Sequence, residues 1–355
     1  MAKKVIILGL LFFAAKLFSQ EDATAMAKKY YSSGIDLYNK GDYTKAVEDF
    51  SKGIAFRSKI TDSYLLCKLY LNRAASRLNL GSHDALDDAN QAVALKPEFS
   101  RAYYMRAIVY EQIIRDYDKA ISDADSALLL KPDDVDFMFV KVRCYGYKKQ
   151  PEKSLEIINK ILESDSKNIE ALKQKGAVYL ELHKYPESEQ SFLKALEYQS
   201  NDFGILCDLA SVLCEQKKFD GALDYYLKAI SADTSQAYIV YSNIAYFIYL
   251  DQKDYAKAIE YLNKSIAQNP KFPYAYSNRG YAKYMQGDLK GGMKDVNKSL
   301  EVYPKNSYAY KNRALILIAE NKISSACADL QRALDLGYTK QYDDEVNELV
   351  KKHCK

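Results

Sequence analysis

A recurrence of about 34 residues constrains this chain more than any other feature of its sequence. The unit is cleanest in residues 273–304, PYAYSNRGYAKYMQGDLKGGMKDVNKSLEVYP. Helical spacing of its apolar positions predicts one amphipathic helix from Tyr274 to Gln286 and a second from Leu289 to Tyr303. Gly287 ends the first, because a residue without Cβ takes the left-handed C-terminal conformation at little cost. Pro304 stops the second, since it has no N–H with which to continue the ladder. Gly280, Gly292 and Ser299 are small, as two closely approaching helix backbones require. A helix pair this short cannot bury its apolar face alone, so the unit should repeat.

It recurs along the whole chain. The first-helix slot is Gly34, Ala74, Ala107, Val142, Gly176, Ala210, Ala245, Gly280 and Ala314. The first slot of the second helix is Ala46, Ala85, Ala120, Ser154, Ser188, Ala222, Ala258, Gly292 and Ala326, whereas a generic helical core would mix in Leu and Ile. The later slot runs Gly53, Ala92, Ala127, Ile161, Ala195, Ala229, Ser265, Ser299 and Ala333, with Ile161 alone out of pattern. Pro97, Pro132, Pro270 and Pro304 close four of the units, and Pro151 and Pro186 each begin a second helix, where a missing N–H costs nothing.

On this period, these slots and these prolines the chain resembles the tetratricopeptide repeat (TPR) family, with Tyr or another residue where that family usually carries Trp. The resemblance implies an all-α, right-handed α-solenoid of about nine TPR helix pairs over residues 26–338. It also implies a concave groove, lined by the first helices, that takes a protein or extended peptide. Residues 20–25 read as a short polar lead-in. Residues 339–355 read as a capping helix, with an apolar stripe of Tyr342, Val346, Leu349 and Val350. Asp343, Asp344 and Glu345 begin that helix and Lys351, Lys352 and His353 end it, which complements its dipole. The 40-residue step from Gly34 to Ala74 predicts a longer turn around residues 56–63.

Composition narrows the function classes. No proline- or glycine-rich linker interrupts residues 26–338, so the array reads as one domain. The formal charge is +4, but Lys3, Lys4 and Lys16 lie in a leader without acids, leaving about +1 for the rest (4 − 3). No basic stripe marks a nucleic-acid binder. Residues 1–19, MAKKVIILGLLFFAAKLFS, join a basic start to an apolar run from Val5 to Ala15, too short to span a bilayer as a helix and suited to a secretory signal. Cleavage after Ser19 or after Ala15 are both compatible with this pattern, and an uncleaved membrane-surface anchor is the alternative. The expectation is an exported protein, periplasmic or extracellular, with no stable membrane insertion once the signal is removed.

The residues offer no catalytic constellation and no cofactor motif. His83, His183 and His353 fall in two inter-helix turns and at the terminus. Cys207 and Cys214 share a helix face, but seven residues of helix is about 10.5 Å, too far for a disulfide, and no His lies near in sequence to complete a metal site. They read as small hydrophobes. Cys327 and Cys354 present two alternatives: a disulfide tying the cap to repeat 9, which export permits, or two unpaired thiols. The first repeats resemble TPR clamps for acidic chaperone C-termini only in part. Asn72 matches and Arg101 replaces a Lys, but Tyr31, Ile35 and Met105 stand where the clamp needs Lys, Asn and Arg.

Repeats 7–9 carry the expected ligand site. On the family's geometry one groove position is Asn243, Asn278 and Asn312 in successive units, similar to the asparagine ladder of the O-linked N-acetylglucosamine transferase family. An Asn side chain both donates and accepts, so it can pair with a peptide backbone of any sequence. Around these lie Tyr246, Tyr249, Tyr274, Tyr281, Tyr284, Met285 and Tyr308, with Lys311 as a charged neighbour. Tyrosine gives large contact area at small entropic cost. Packing alone also produces aromatic stripes at helical spacing, and glycan binding on the tyrosines is the alternative function.

Overall fold

The computed structural model describes residues 19–341 and 344–354. The leader expected over residues 1–18, together with Tyr342 and Asp343 of the expected capping stripe and cap, lies outside them. Among the described residues the regular elements are helices, and no strand occurs.

Two compact units divide at Ala171 and Leu172. The first is built of four helix pairs: α1 (Gln20–Asn39) with α2 (Tyr43–Ile54), α3 (Ser63–Asn79) with α4 (Ala85–Leu95), α5 (Ser100–Val109) with α6 (Tyr117–Leu130), and α7 (Val135–Tyr147) with α8 (Pro151–Ser164). Helix α5 runs directly into a π-helical turn, Tyr110–Ile114. The division falls in the first turn of α9 (Ile169–Glu181), and the second unit holds the rest of α9 with α10 (Tyr185–Tyr198), α11 (Phe203–Glu215) with α12 (Phe219–Ala232), and α13 (Ala237–Asn243) with α14 (Tyr255–Gln268). It continues through α15 (Pro273–Met285) with α16 (Leu289–Val302) and α17 (Ser307–Ala319) with α18 (Ile323–Asp335), then α19 (Tyr338–Gln341) and α20 (Glu345–His353). Helix α13 also runs into a π-helical turn, Ile244–Leu250. The fold is an all-α repeat of helix pairs, of the α-solenoid class.

Close backbone approach makes each pair. The three slots are buried in all nine units. A Cβ on Gly280 would stand 2.5 Å from Val296 Cγ2 and 3.0 Å from the Gly292 carbonyl, so nothing larger than glycine fits without a shift. Where the second helix has serine at this slot, its hydroxyl donates to the facing carbonyl: Ser154 to Val142 at 3.0 Å and Ser188 to Gly176 at 2.7 Å. That bond satisfies a buried hydroxyl and holds the two helices in register.

A second device ties the first helices of repeats 2, 3, 8 and 9 to the second helices on both sides. Arg73, Arg106, Arg279 and Arg313 each donate two bonds to one carboxylate, on Asp88, Asp123, Asp295 and Asp329, at 2.6–2.9 Å. These aspartates are at most 7% exposed, so the fork supplies the counter-charge that burial demands. The remaining guanidinium nitrogen reaches the preceding second helix, at Ser51, Asn90, Asn263 and Asn297 respectively.

The turn inside every unit contains one residue with positive φ: Gly41, Gly81, Arg115, Lys149, His183, Lys217, Lys253, Gly287 and Asn321. Glycine, expected there from Gly287, occupies three of the nine. The others adopt φ of 56–60° in spite of their Cβ, because the packed helices on either side fix the turn.

Both ends of the array differ from expectation. Residues 20–25 are not a separate lead-in but the first turns of α1. Ser19 Oγ accepts from the Asp22 amide at 3.1 Å, an N-cap three residues ahead of an acid, and Ala23 and Ala27 are fully buried. The turn after α2 is long, as the spacing required, and is filled by buried Phe56 and Ile60. At the other end the capping helix is nine residues long, not the whole of 339–355. Val346 is fully buried in a cluster with Leu330, Ala333 and Tyr338, and Leu349 and Val350 pack against it. Cys327 and Cys354 are joined in the structure, with Cα atoms 5.6 Å apart.

The strained turns generate a stability prediction. Lys253→Gly should stabilise the chain by about 0.5–1 kcal/mol, since the left-handed strain it removes exceeds the added freedom of the unfolded chain. Gly287→Lys should cost a similar amount. Urea unfolding midpoints of the two variants, moving in opposite directions, check the pair.

Candidate functional site

One extra residue shapes the first-helix face of the second unit. From slot to left-handed turn is seven residues in α15 (Gly280 to Gly287) but eight in α13 (Ala245 to Lys253). The π-helical turn Ile244–Leu250 absorbs the insertion, as π-bulges generally do. Side chains beyond it are rotated relative to an unbroken α-helix. Tyr249, expected in the groove, therefore points to the core, is 8% exposed and stacks on Tyr261 of α14 with ring centroids 5.3 Å apart. Burial pushes its hydroxyl up to about 12.

The rotation places Phe247 and Leu250 in Tyr249's stead. With Tyr246, Tyr281 and Tyr308 they line a cavity of about 400 Å³ in the second unit, and Cys214 of α11 also borders it. Tyr246 meets Phe247 edge-on at 4.9 Å and Tyr308 at 6.0 Å with an interplanar angle of 79°. The rings thus enclose a volume instead of forming a flat platform. Burial raises the hydroxyls of Tyr281 and Tyr308 above the usual tyrosine range, and the Cys214 thiol to about 12. All three are therefore neutral at physiological pH. The exposed side chains Glu215, Lys217 and Asp251 complete the lining, with Lys217 paired to Asp251 at 2.7 Å.

The other expected site residues divide. Tyr246, Tyr281 and Tyr308 converge on the cavity. Tyr274 is exposed and packs against Phe272 and Tyr303, apart from it. Tyr284 packs on the Val296 cluster between α16 and α17. Asn312 is 1% exposed and donates Nδ2 to the carbonyl and hydroxyl of Ser277, both at 3.2 Å, so it ties α17 to α15 instead of facing a ligand. Its Oδ1 is buried without a partner. Asn278 is 7% exposed and Asn243 half-buried, so the asparagines do not form an open ladder. The small Ser277 at the facing position allows this approach, and the amide spans the gap.

Lys311 is not an exposed groove charge. It is 3% exposed, ion-paired with Glu345 of α20 at 3.0 Å, and its ammonium lies 4.6 Å from the Tyr308 ring centroid and 5.1 Å from that of Tyr281. A buried ammonium needs both the counter-ion and the ring faces.

No group of three or more potential metal ligands assembles among the described residues. Cys207 and Cys214 keep their protons, since burial raises each thiol to about 12. His183 contacts the Tyr185 hydroxyl at 2.9 Å in its exposed turn. Among the described residues no helix is long and apolar enough to cross a membrane.

Comparison with known proteins agrees with this architecture. A family model described as a tetratricopeptide repeat matches residues 174–237, and another described as a TPR repeat matches residues 248–287. The mouse protein Tetratricopeptide repeat protein 4 is 28% identical over 130 residues, 36% of this chain and 33% of its own length. The DnaJ homolog subfamily C member 7 homolog of Schizosaccharomyces pombe is 24% identical over 214 residues, 56% of this chain and 43% of its own. The chain thus spans less than half the length of these relatives. A solved structure of PilW, a type IV pilus biogenesis factor, is 20% identical with a TM-score of 0.49, covering 59% of this chain and 94% of that one. The two family models place tetratricopeptide repeats at residues 174–237 and 248–287, in agreement with the slot pattern and the helix-pair fold.

Proposed function

We propose that the chain is a non-enzymatic scaffold that binds an extended segment of another protein along the first-helix face of repeats 7–9. The observation that carries this reading is the aromatic cavity of Tyr246, Phe247, Leu250, Tyr281 and Tyr308. Large, half-buried rings around an open volume supply apolar area for a side chain, while their hydroxyls tolerate water at the rim. Glycan binding is less well served, because sugars stack on flat, accessible faces and these rings meet nearly edge-on. The binding role should show as a loss of affinity. A partner captured from envelope extract should bind Tyr246→Ala/Tyr281→Ala at least about tenfold more weakly than the parent, by about 1.4 kcal/mol or more, in isothermal titration. An unchanged dissociation constant, with helicity preserved, would remove the cavity from the interface.

We also propose that the protein acts outside the cytoplasm. The basic and apolar leader supports export, and the Cys327–Cys354 pair is a bond that an oxidising compartment sustains. Ser19 caps α1, so processing after Ala15 retains the cap whereas processing after Ser19 removes it. Protein recovered from its native compartment and alkylated without reductant should show four modified cysteines of the six. Six modified thiols would contradict both the bridge and this placement.

A further inference from the structure

We infer that the aromatic cavity takes a basic side chain, lysine or arginine, of the bound segment. This rests on the groove reading above and names what the groove selects. Ring faces attract cations through their quadrupole, and the attraction grows as water is excluded. Two of the cavity's own rings already hold a cation. Tyr308 and Tyr281 flank the Lys311 ammonium, which is buried with one carboxylate, Glu345, at 3.0 Å. The cavity repeats that combination at its rim, where two carboxylates, Glu215 and Asp251, share one ammonium, Lys217. Lys217 makes its ion pair with Asp251 at 2.7 Å, so the three charged residues leave one net negative charge, centred on Glu215. Glu215 makes no ion pair among the described residues, and its hydrogen bond is from the neutral Tyr185 hydroxyl at 3.4 Å.

The charges discriminate between occupants. An acidic side chain entering the cavity would meet the net negative charge centred on Glu215. A leucine would gain the apolar walls of Phe247 and Leu250 but nothing from Glu215. A lysine or arginine lays its alkyl stem on those walls and brings its head group to the rings and to Glu215, so every part of it is matched.

The test uses the full chain and synthetic pentapeptides, acetyl-Ala-Ser-X-Ser-Ala-amide, with X as Arg, Lys, Leu or Glu. Binding is followed by NMR at ¹³C-labelled phenylalanine and tyrosine rings. The Arg and Lys peptides should bind at least about fivefold more tightly than the Leu peptide, and the Glu peptide most weakly. Glu215→Gln should abolish that preference, whereas Glu301→Gln, which removes an exposed carboxylate of α16, should leave it in place. A Leu peptide that shifts the cavity rings and binds as tightly as Arg would overturn this inference while sparing the groove. A basic preference that survives Glu215→Gln would overturn it too. Absence of shifts at Phe247, Tyr246 and Tyr281 with every peptide would overturn both.

Discussion

Where Gly292 faces Gly280, a Cβ on one would stand 2.9 Å from the carbonyl oxygen of the other. Contact at that distance leaves no freedom in how the two helices of a pair are set against each other. Alanine, serine or glycine at the same place in all nine units repeats the constraint along the chain, and Ser154 and Ser188 turn it into a hydrogen bond. Because each pair is fixed by its own slots, the residues elsewhere in a unit are free to vary. The left-handed turns show how strongly the slots rule. Arg115, Lys149, His183, Lys217 and Lys253 are held at positive φ by the helices they connect, against their own preference.

What varies is electrostatic in some units and aromatic in others. Repeats 2, 3, 8 and 9 carry the buried Arg–Asp fork. At the aspartate position repeats 4–7 have Ile157, Ser191, Tyr225 and Tyr261. Tyr261 then receives Tyr249, the ring that the π-helical turn of α13 rotates into the core. The same rotation exposes Phe247 and Leu250 to the cavity. A change in the core and the exposure of two apolar side chains to the cavity thus accompany one inserted residue.

The pair fold was legible in the sequence because small slots and closing prolines act at fixed offsets and owe nothing to distant contacts. Residues 20–25 look like a polar lead-in by composition, but Ser19 three residues ahead of Asp22 is a local capping signal that starts the helix there. Helical phase groups Tyr246, Tyr281 and Tyr308, which border one cavity, but it puts Tyr249 beside them when that ring turns to the core. Phase fails after an insertion, and the insertion is visible only by measuring slot to turn. In repeat 7 the turn residue is Lys253, not glycine, so the landmark for that measurement was missing. The burial of Lys311 and Asn312 is invisible to helical phase because their partners, Glu345 and Ser277, lie 34 and 35 residues away and only tertiary packing brings them together.

The central claim is that the first helices of repeats 7–9 form the binding face, and amide hydrogen exchange with and without a captured partner tests it most directly. Complex formation should slow exchange in residues 237–250, 273–285 and 307–319 and leave the second helices, residues 255–268, 289–302 and 323–335, unchanged. Protection confined to the second helices, or to residues 20–164, would contradict it.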